Sequence, residues 1–205
     1  MKLEDCALFK NTSIDLASII IKELPMNYTL ELEGDSSDYL GIVLDGKIHV
    51  KAYSLAGKNF TINTIYPGMI FGDVLLFGTE AKSYPGNLIT AEKTLLAMIP
   101  YVELKQFIFK DPIFLENFLS VLSDKVSRLN SKNKLLSQDS IRDKILFFLY
   151  QQKRVQKVNK IKLHMTKEEL ANDLFIQRPS LSRELIRMKA DGLIDYDRWS
   201  ITLKI

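Results

Sequence analysis

The segment from Thr166 to Gly192 constrains the fold more than any other, because it carries two helix starts and a helix stop in close succession. Thr166-Lys167-Glu168-Glu169 has the form of a capping box. The Thr166 hydroxyl can accept the Glu169 backbone N–H while the Glu169 carboxylate reaches back to that of Thr166. Leu170 and Leu174 give the helix that follows an i, i+4 apolar stripe. A short connection through Phe175 and Ile176 leads to Gln177, where a second helix starts. Pro179 fits there because a first-turn N–H has no intrahelical partner to lose. Asp191-Gly192 ends the helix, with glycine suited to the left-handed cap. At 3.6 residues per turn, Leu181, Leu185 and Met188 share one side, while Arg183 points roughly 190° from their mean direction, flanked by Pro179, Ser182 and Arg187. Two helices so joined, one side apolar and the other free, form a helix-turn-helix whose second helix is shaped to enter DNA.

Beyond Gly192, Leu193–Tyr196 and Ser200–Ile205 are short strand-like runs joined through Asp197, Arg198 and Trp199, a hairpin of the kind called a wing. Charge supports the same reading. Residues 139–205 carry 14 Lys and Arg against 9 Asp and Glu, whereas residues 1–138 carry 14 against 16. A basic module attached to a mildly acidic one suits phosphate binding at one end only.

The first hundred residues follow a different pattern. A short helical opening is expected over Ile14 to Leu24 from its apolar spacing. Turn signals then recur at 33–35, Asp45-Gly46, 56–58, 66–68, 71–73 and 84–86, with β-rich runs between them. Asp45-Gly46, between Tyr39–Leu44 and Lys47–Tyr53, is a two-residue hairpin signal. Strands so punctuated predict an antiparallel sandwich or barrel.

Between these parts, Leu115, Leu119, Leu122, Val126, Leu129 and Leu136 follow heptad spacing, with Asn133 at the skipped position. A stripe this strict favours a partner helix, so a parallel homodimer is expected, with Asn133 fixing register. Ser137-Gln138-Asp139-Ser140 offers a new N-cap before Ile141, so the long helix should break there into a hinge. The organisation is an α+β chain: a sensing β-domain at 1–110, a dimerisation helix at 111–138 and a winged helix-turn-helix at 139–205.

There is no apolar run of about 18 residues, and the start Met1–Lys10 is too polar for a secretory signal, so a cytoplasmic chain without membrane contact is expected. Cys6 is the single cysteine and is expected to be buried and inert. No nucleophile elbow, phosphate loop or HExxH sequence occurs, and one histidine in the β-domain cannot build a cupin metal site. The chain is not expected to be an enzyme; a relative that binds a partner or small molecule but no specific DNA is the rival from another class.

Tyr39–Val50, Tyr66–Phe77 and Arg178–Leu185 each stand where a known family has its counterpart. The chain resembles, over its whole length, the bacterial regulators typified by the cAMP receptor protein and the fumarate–nitrate reduction regulator. The resemblance implies a double-stranded β-helix (jelly-roll) sensor of the cyclic-nucleotide-binding type and transcription regulation on palindromic DNA, with RNA polymerase as a further partner. It matches Arg183 to the arginine that reads guanine through O6 and N7, and Ser182 to the serine of the fumarate–nitrate branch, whose half-site is of the TTGAT type. Pro179 replaces the family's glutamate there and has no side-chain donor or acceptor. Arg178 and Ser180, at the helix start, face a base or a phosphate; Thr166, Lys167, Arg198 and Ser200 are expected at phosphates, and Arg187 beside Arg183.

For the sensor, the resemblance implies an effector site around Gly72, Asp73, Ser83 and Tyr84, with Arg128 from the long helix. Tyr84-Pro85 stands where cAMP-binding relatives have Arg-Ser for the cyclic phosphate, and Lys82 is a flexible point charge rather than a planar fork. cAMP is therefore not the expected effector. One cysteine cannot ligate an iron–sulfur cluster within a chain, and His49 and His164 are poor candidates for haem. An uncharged or weakly acidic small molecule, or a sensor that signals without a ligand, is left, and no cofactor is assigned. cAMP- and haem-dependent regulation within the same fold are the alternatives.

Overall fold

The computed structural model describes residues 1–53, 59–80, 83–163 and 165–204. The turn expected at 56–58, Lys82 and His164 lie outside the described residues. The chain divides into two compact units, Met1–Ser123 and Asp124–Ile205.

The first unit holds two four-stranded antiparallel sheets. One runs β1 (Ile20–Leu24), β8 (Thr94–Pro100), β3 (Tyr39–Asp45), β6 (Ile70–Phe71); the other runs β2 (Thr29–Glu31), β7 (Asn87–Thr90), β4 (Ile48–Tyr53), β5 (Asn59–Ile65). Strand β3 is apolar at nearly every position because both its faces are covered. Tyr39 and Val43 lie in the core between the sheets with Ile48, Leu88, Leu96 and Met98. Leu40, Ile42 and Leu44 lie in a second core with Cys6, Leu8, Phe114 and Phe118. Gly41 is required at the first interface: a Cβ there would come within 2.1 Å of the Phe71 ring. Cys6 is fully buried, and burial raises its thiol pKa.

Two expectations are corrected here. Ile14 to Leu24 is not a helix: after one 3₁₀ turn at Leu16–Ser18 the chain extends into β1 and pairs with β8, Ile20 opposite Met98 and Leu24 opposite Thr94. The β-branched run Ile19-Ile20-Ile21 and Pro25 at its end favour the strand once β8 offers an edge. Asp45-Gly46 is not a hairpin between paired strands. β3 pairs with β6 and β8 while β4 pairs with β5 and β7, so the turn, with Gly46 at φ +77°, carries the chain from one sheet to the other.

Helix α1 (Asp73–Phe77) follows β6, and α2 (Tyr101–Lys110) follows β8. Asp111 then starts α3 (Pro112–Leu136): its Oδ1 accepts the N–H groups of Ile113 and Phe114 at 2.9 and 3.1 Å, and its Oδ2 accepts Ser13 N and Oγ at 2.9 and 3.2 Å. These donors lower the Asp111 pKa. Phe114 and Phe118 bury the beginning of α3 in the first unit, while Leu135 belongs to the core of the second.

In the second unit, α4 (Ile141–Gln156) is capped by the Ser140 hydroxyl, which accepts Asp143 N at 3.1 Å, so the helical path breaks over 137–140 as expected. Helices α5 (Lys167–Asp173) and α6 (Arg178–Ala190) follow strand β9 (Lys160–Lys162). Strands β10 (Ile194–Tyr196) and β11 (Ser200–Leu203) close a three-stranded sheet in the order β10-β11-β9. Ile145, Leu149, Leu170, Leu174, Leu181, Leu185, Met188 and Ile201 fill one core.

Candidate nucleic-acid interface

The capping box at the start of α5 is complete: Glu169 N donates to Thr166 Oγ1 at 3.1 Å, and Thr166 N donates to Glu169 Oε2 at 2.7 Å. The turn to α6 is made by Phe175 at φ +54°, a conformation uncommon for an aromatic residue. Its ring receives Lys132 Nζ at 4.8 Å from the centroid. Gln177 is the N-cap of α6 without a side-chain cap bond, Pro179 sits in the first turn, and Gly192 follows the helix at φ +74°.

Leu181, Leu185 and Met188 are fully buried, while Arg178, Arg183 and Arg187 are exposed. The apolar side therefore anchors α6, and its arginines lie on the exposed side. Arg183 Nη2 donates to Ser180 Oγ at 3.3 Å, a contact one turn back that holds the guanidinium along the helix. Ser180 and Ser182 are half-buried beside it. At the wing, Arg198 lies over the Trp199 ring at 4.8 Å, and the two line an open groove with Lys160 and Lys162. Lys167 stands over the Tyr196 ring at 4.5 Å, so its ammonium is held at the junction of α5 and the wing.

Ser200 is corrected. It is buried, and its hydroxyl donates to Asp197 Oδ2 at 2.7 Å while Asp197 Oδ1 accepts the N–H groups of Trp199 and Ser200 at 2.7 Å each. Ser200 builds the turn that presents Arg198 rather than facing a phosphate. These bonds, that from the Ser200 hydroxyl foremost, lower the Asp197 pKa.

Sequence reasoning missed Arg142. Its Nε donates to Glu184 Oε1 at 2.7 Å and its Nη2 meets Asp191 Oδ2 at 2.8 Å, tying α4 to α6. Nothing local signals a contact 42 positions apart.

In the first unit, Gly72 takes φ +84° before α1 and packs closely: a Cβ would meet Tyr39 O at 2.7 Å, Ser37 Oγ at 3.3 Å and Tyr84 Oη at 3.4 Å. Asp73 and Tyr84 are buried, and the Tyr84 hydroxyl makes no hydrogen bond of ordinary geometry among the described residues, although the Ser37 and Tyr39 side chains lie near it. Tyr39 donates to Glu31 Oε1 at 2.5 Å. Burial raises the pKa of both phenols; the Glu31 carboxylate adds to this at both, and Asp73 does at Tyr84. Ser83 is exposed, and Arg128 lies exposed on α3 within the second unit. Neutral phenols backed by carboxylates carry no positive charge to offset the negative charge of a phosphate diester. His49 Nδ1 lies 3.0 Å from Thr64 Oγ1, and burial lowers its pKa.

A β-sandwich and a winged helix-turn-helix, joined in sequence by one long helix, make up the chain. The sequence profile of the cyclic nucleotide-binding domain matches residues 21–111, and that of the Crp-like helix-turn-helix domain matches residues 144–204. The chain belongs to the Crp/Fnr family of transcription regulators. It is similar in fold to the c-di-GMP-responsive global regulator CLP of Xanthomonas campestris, at 22% identity and TM-score 0.62 over 92% of this chain and 95% of that one. A CooA mutant from Carboxydothermus hydrogenoformans gives 19% identity and TM-score 0.68 over 93% and 85%. The catabolite activator protein of Thermus thermophilus gives 20% and 0.50 over 92% and 87%. No curated protein sequence matched. Members of the family are regulators rather than enzymes. Among the described residues no helix is long and apolar enough to cross a membrane.

Proposed function

We propose that the chain acts in the cytoplasm as a homodimer that binds a palindromic duplex through α6, with Arg183 reading guanine and the β-domain setting affinity. The observation that carries this is the exposed Arg183 on a helix whose opposite side is fully buried. Arg178, Ser180, Ser182 and Arg187 border it, while Thr166, Lys167 and Arg198 hold phosphates and set register. The α3 stripe pairs two chains: Leu115, Leu119, Val126, Leu129 and Leu136 remain exposed in the single chain, whereas Leu122 packs partly against its own core. The effector is a small molecule other than cAMP, since the buried Tyr84 hydroxyl, without a hydrogen bond of ordinary geometry among the described residues, stands near the carboxylates of Glu31 and Asp73. Effector binding biases two packings of the seam, and the break over 137–140 turns that bias into a change in separation of the two α6 helices. The competent state sets them about 34 Å apart, one turn of duplex. RNA polymerase is the further partner.

Fluorescence anisotropy with TGTGA-like, TTGAT-like and scrambled palindromic duplexes over a salt series tests the reading. The wild type should prefer one palindrome, and Arg183→Ala should lose ~1–3 kcal/mol of discrimination per half-site. Full discrimination by Arg183→Ala would show that another residue reads the base.

A further inference from the structure

We propose that Arg142 is a positioning residue for DNA reading: its guanidinium locks α6 to α4, so that the helix carrying Arg183 turns with the segment leaving the hinge. The inference rests on the DNA-reading role assigned above to α6. Arg142 is the second residue of α4, directly after the break over 137–140. Its two bonds go to Glu184, in the middle of α6, and to Asp191, the C-cap of α6, at 2.7 and 2.8 Å. Those acceptors are seven residues apart, about 10 Å along a helix axis, so one planar group grips two turns. The buried leucines seat α6 on its core, and the two bonds, which hold residues two turns apart on α6 to one guanidinium, add restraint against rotation of the helix about that seat.

The Glu184 side chain is only 12% exposed, and it neighbours Arg183 in the sequence. A carboxylate held so close to a reading arginine must be neutralised, or it would repel the phosphates that α6 approaches. Arg142 supplies that neutralisation from the protein side. The other cation near Glu184, Arg187, is 3.7 Å away and 71% exposed, so it stays available to DNA only while Arg142 satisfies the carboxylate. Arg142 itself is committed to two acidic partners and is not a free phosphate ligand. Lysine is a poor substitute, because its ammonium has three donors but not the rigid planar fork that fixes the directions to both acceptors.

The test uses the full chain and a palindromic duplex selected from a randomised library, beside a scrambled duplex of equal length at the same salt. All binding is measured well below the melting temperature of each variant. Arg142→Gln should weaken binding to the selected duplex about tenfold or more while binding to the scrambled duplex changes less than about twofold, and Arg142→Lys should recover little of the loss. Amide hydrogen exchange without DNA should accelerate over 184–190 in Arg142→Gln but not over 145–149. Parallel weakening on both duplexes would make Arg142 a phosphate ligand and overturn the proposal. An unchanged preference in a merely less stable protein, or unchanged exchange over 184–190, would overturn it too. If the wild type prefers no duplex, the reading role of α6 fails, while the exchange measurement still decides whether Arg142 holds the helix.

Discussion

Truncating one leucine of the proposed seam tests the dimer directly. Leu129 is 53% exposed in the single chain, on the heptad stripe between Val126 and Asn133. Burying a whole leucine side chain contributes ~1.5–3 kcal/mol, so covering the half that is still open contributes ~0.8–1.6 kcal/mol. A two-fold symmetric parallel pair uses the residue twice, so Leu129→Ala removes ~1.5–3 kcal/mol per dimer. That is about a 10- to 150-fold rise in the dimer dissociation constant. Sedimentation velocity over a dilution series measures it, with Asp124→Ala, on the opposite side of the helix, as the control. The same dilution series read by anisotropy should show palindrome binding lost in step with the dimer, because one chain presents one α6. If Leu129→Ala dissociates no more readily than Asp124→Ala, or the wild type is a monomer throughout, the stripe is not the interface.

Two further outcomes follow from the first unit. Tyr84→Phe removes a buried hydroxyl that makes no hydrogen bond of ordinary geometry among the described residues, so the variant should be more stable in denaturant melts by ~1–3 kcal/mol; a less stable variant would mean that the hydroxyl is satisfied in solution. The lowered pKa of Asp111 makes the cap at the start of α3 a source of stability that is complete above the ordinary carboxylate range and lost as pH falls through the folded value. Asp111→Asn should therefore melt below the wild type at neutral pH and converge with it in acid; parallel curves from neutral pH to about pH 2.5 would refute the charge-based account.

The parts of the fold that were legible are those specified by neighbours in sequence. The Thr166–Glu169 box, the Ser140 cap and Gly192 each act within a few residues, and each stands where the sequence puts it. Ile14–Leu24 was misleading because its apolar spacing suits a helix or a strand, and only the edge of β8, more than 70 residues later, decides. Asp45-Gly46 specifies a tight turn but not the partners of its strands; those follow from β3 having both faces covered. Ser200 was assigned to phosphate because the hydroxyl's use by Asp197 depends on how the wing turn closes.

The same distinction separates the two halves of the function. The proposed reading surface is one helix, so its chemistry is set by periodicity: every third or fourth residue is buried, and what lies opposite is exposed. The sensor brings together Glu31, Ser37, Tyr39, Gly72 and Tyr84 from separate strands and turns. A neutral, buried phenol cannot do what a guanidinium does for a phosphate, since it carries no charge and donates one proton. On the proposed reading the effector is one that matches the donors and acceptors assembled around Tyr84, within a domain that matches the cyclic nucleotide-binding profile.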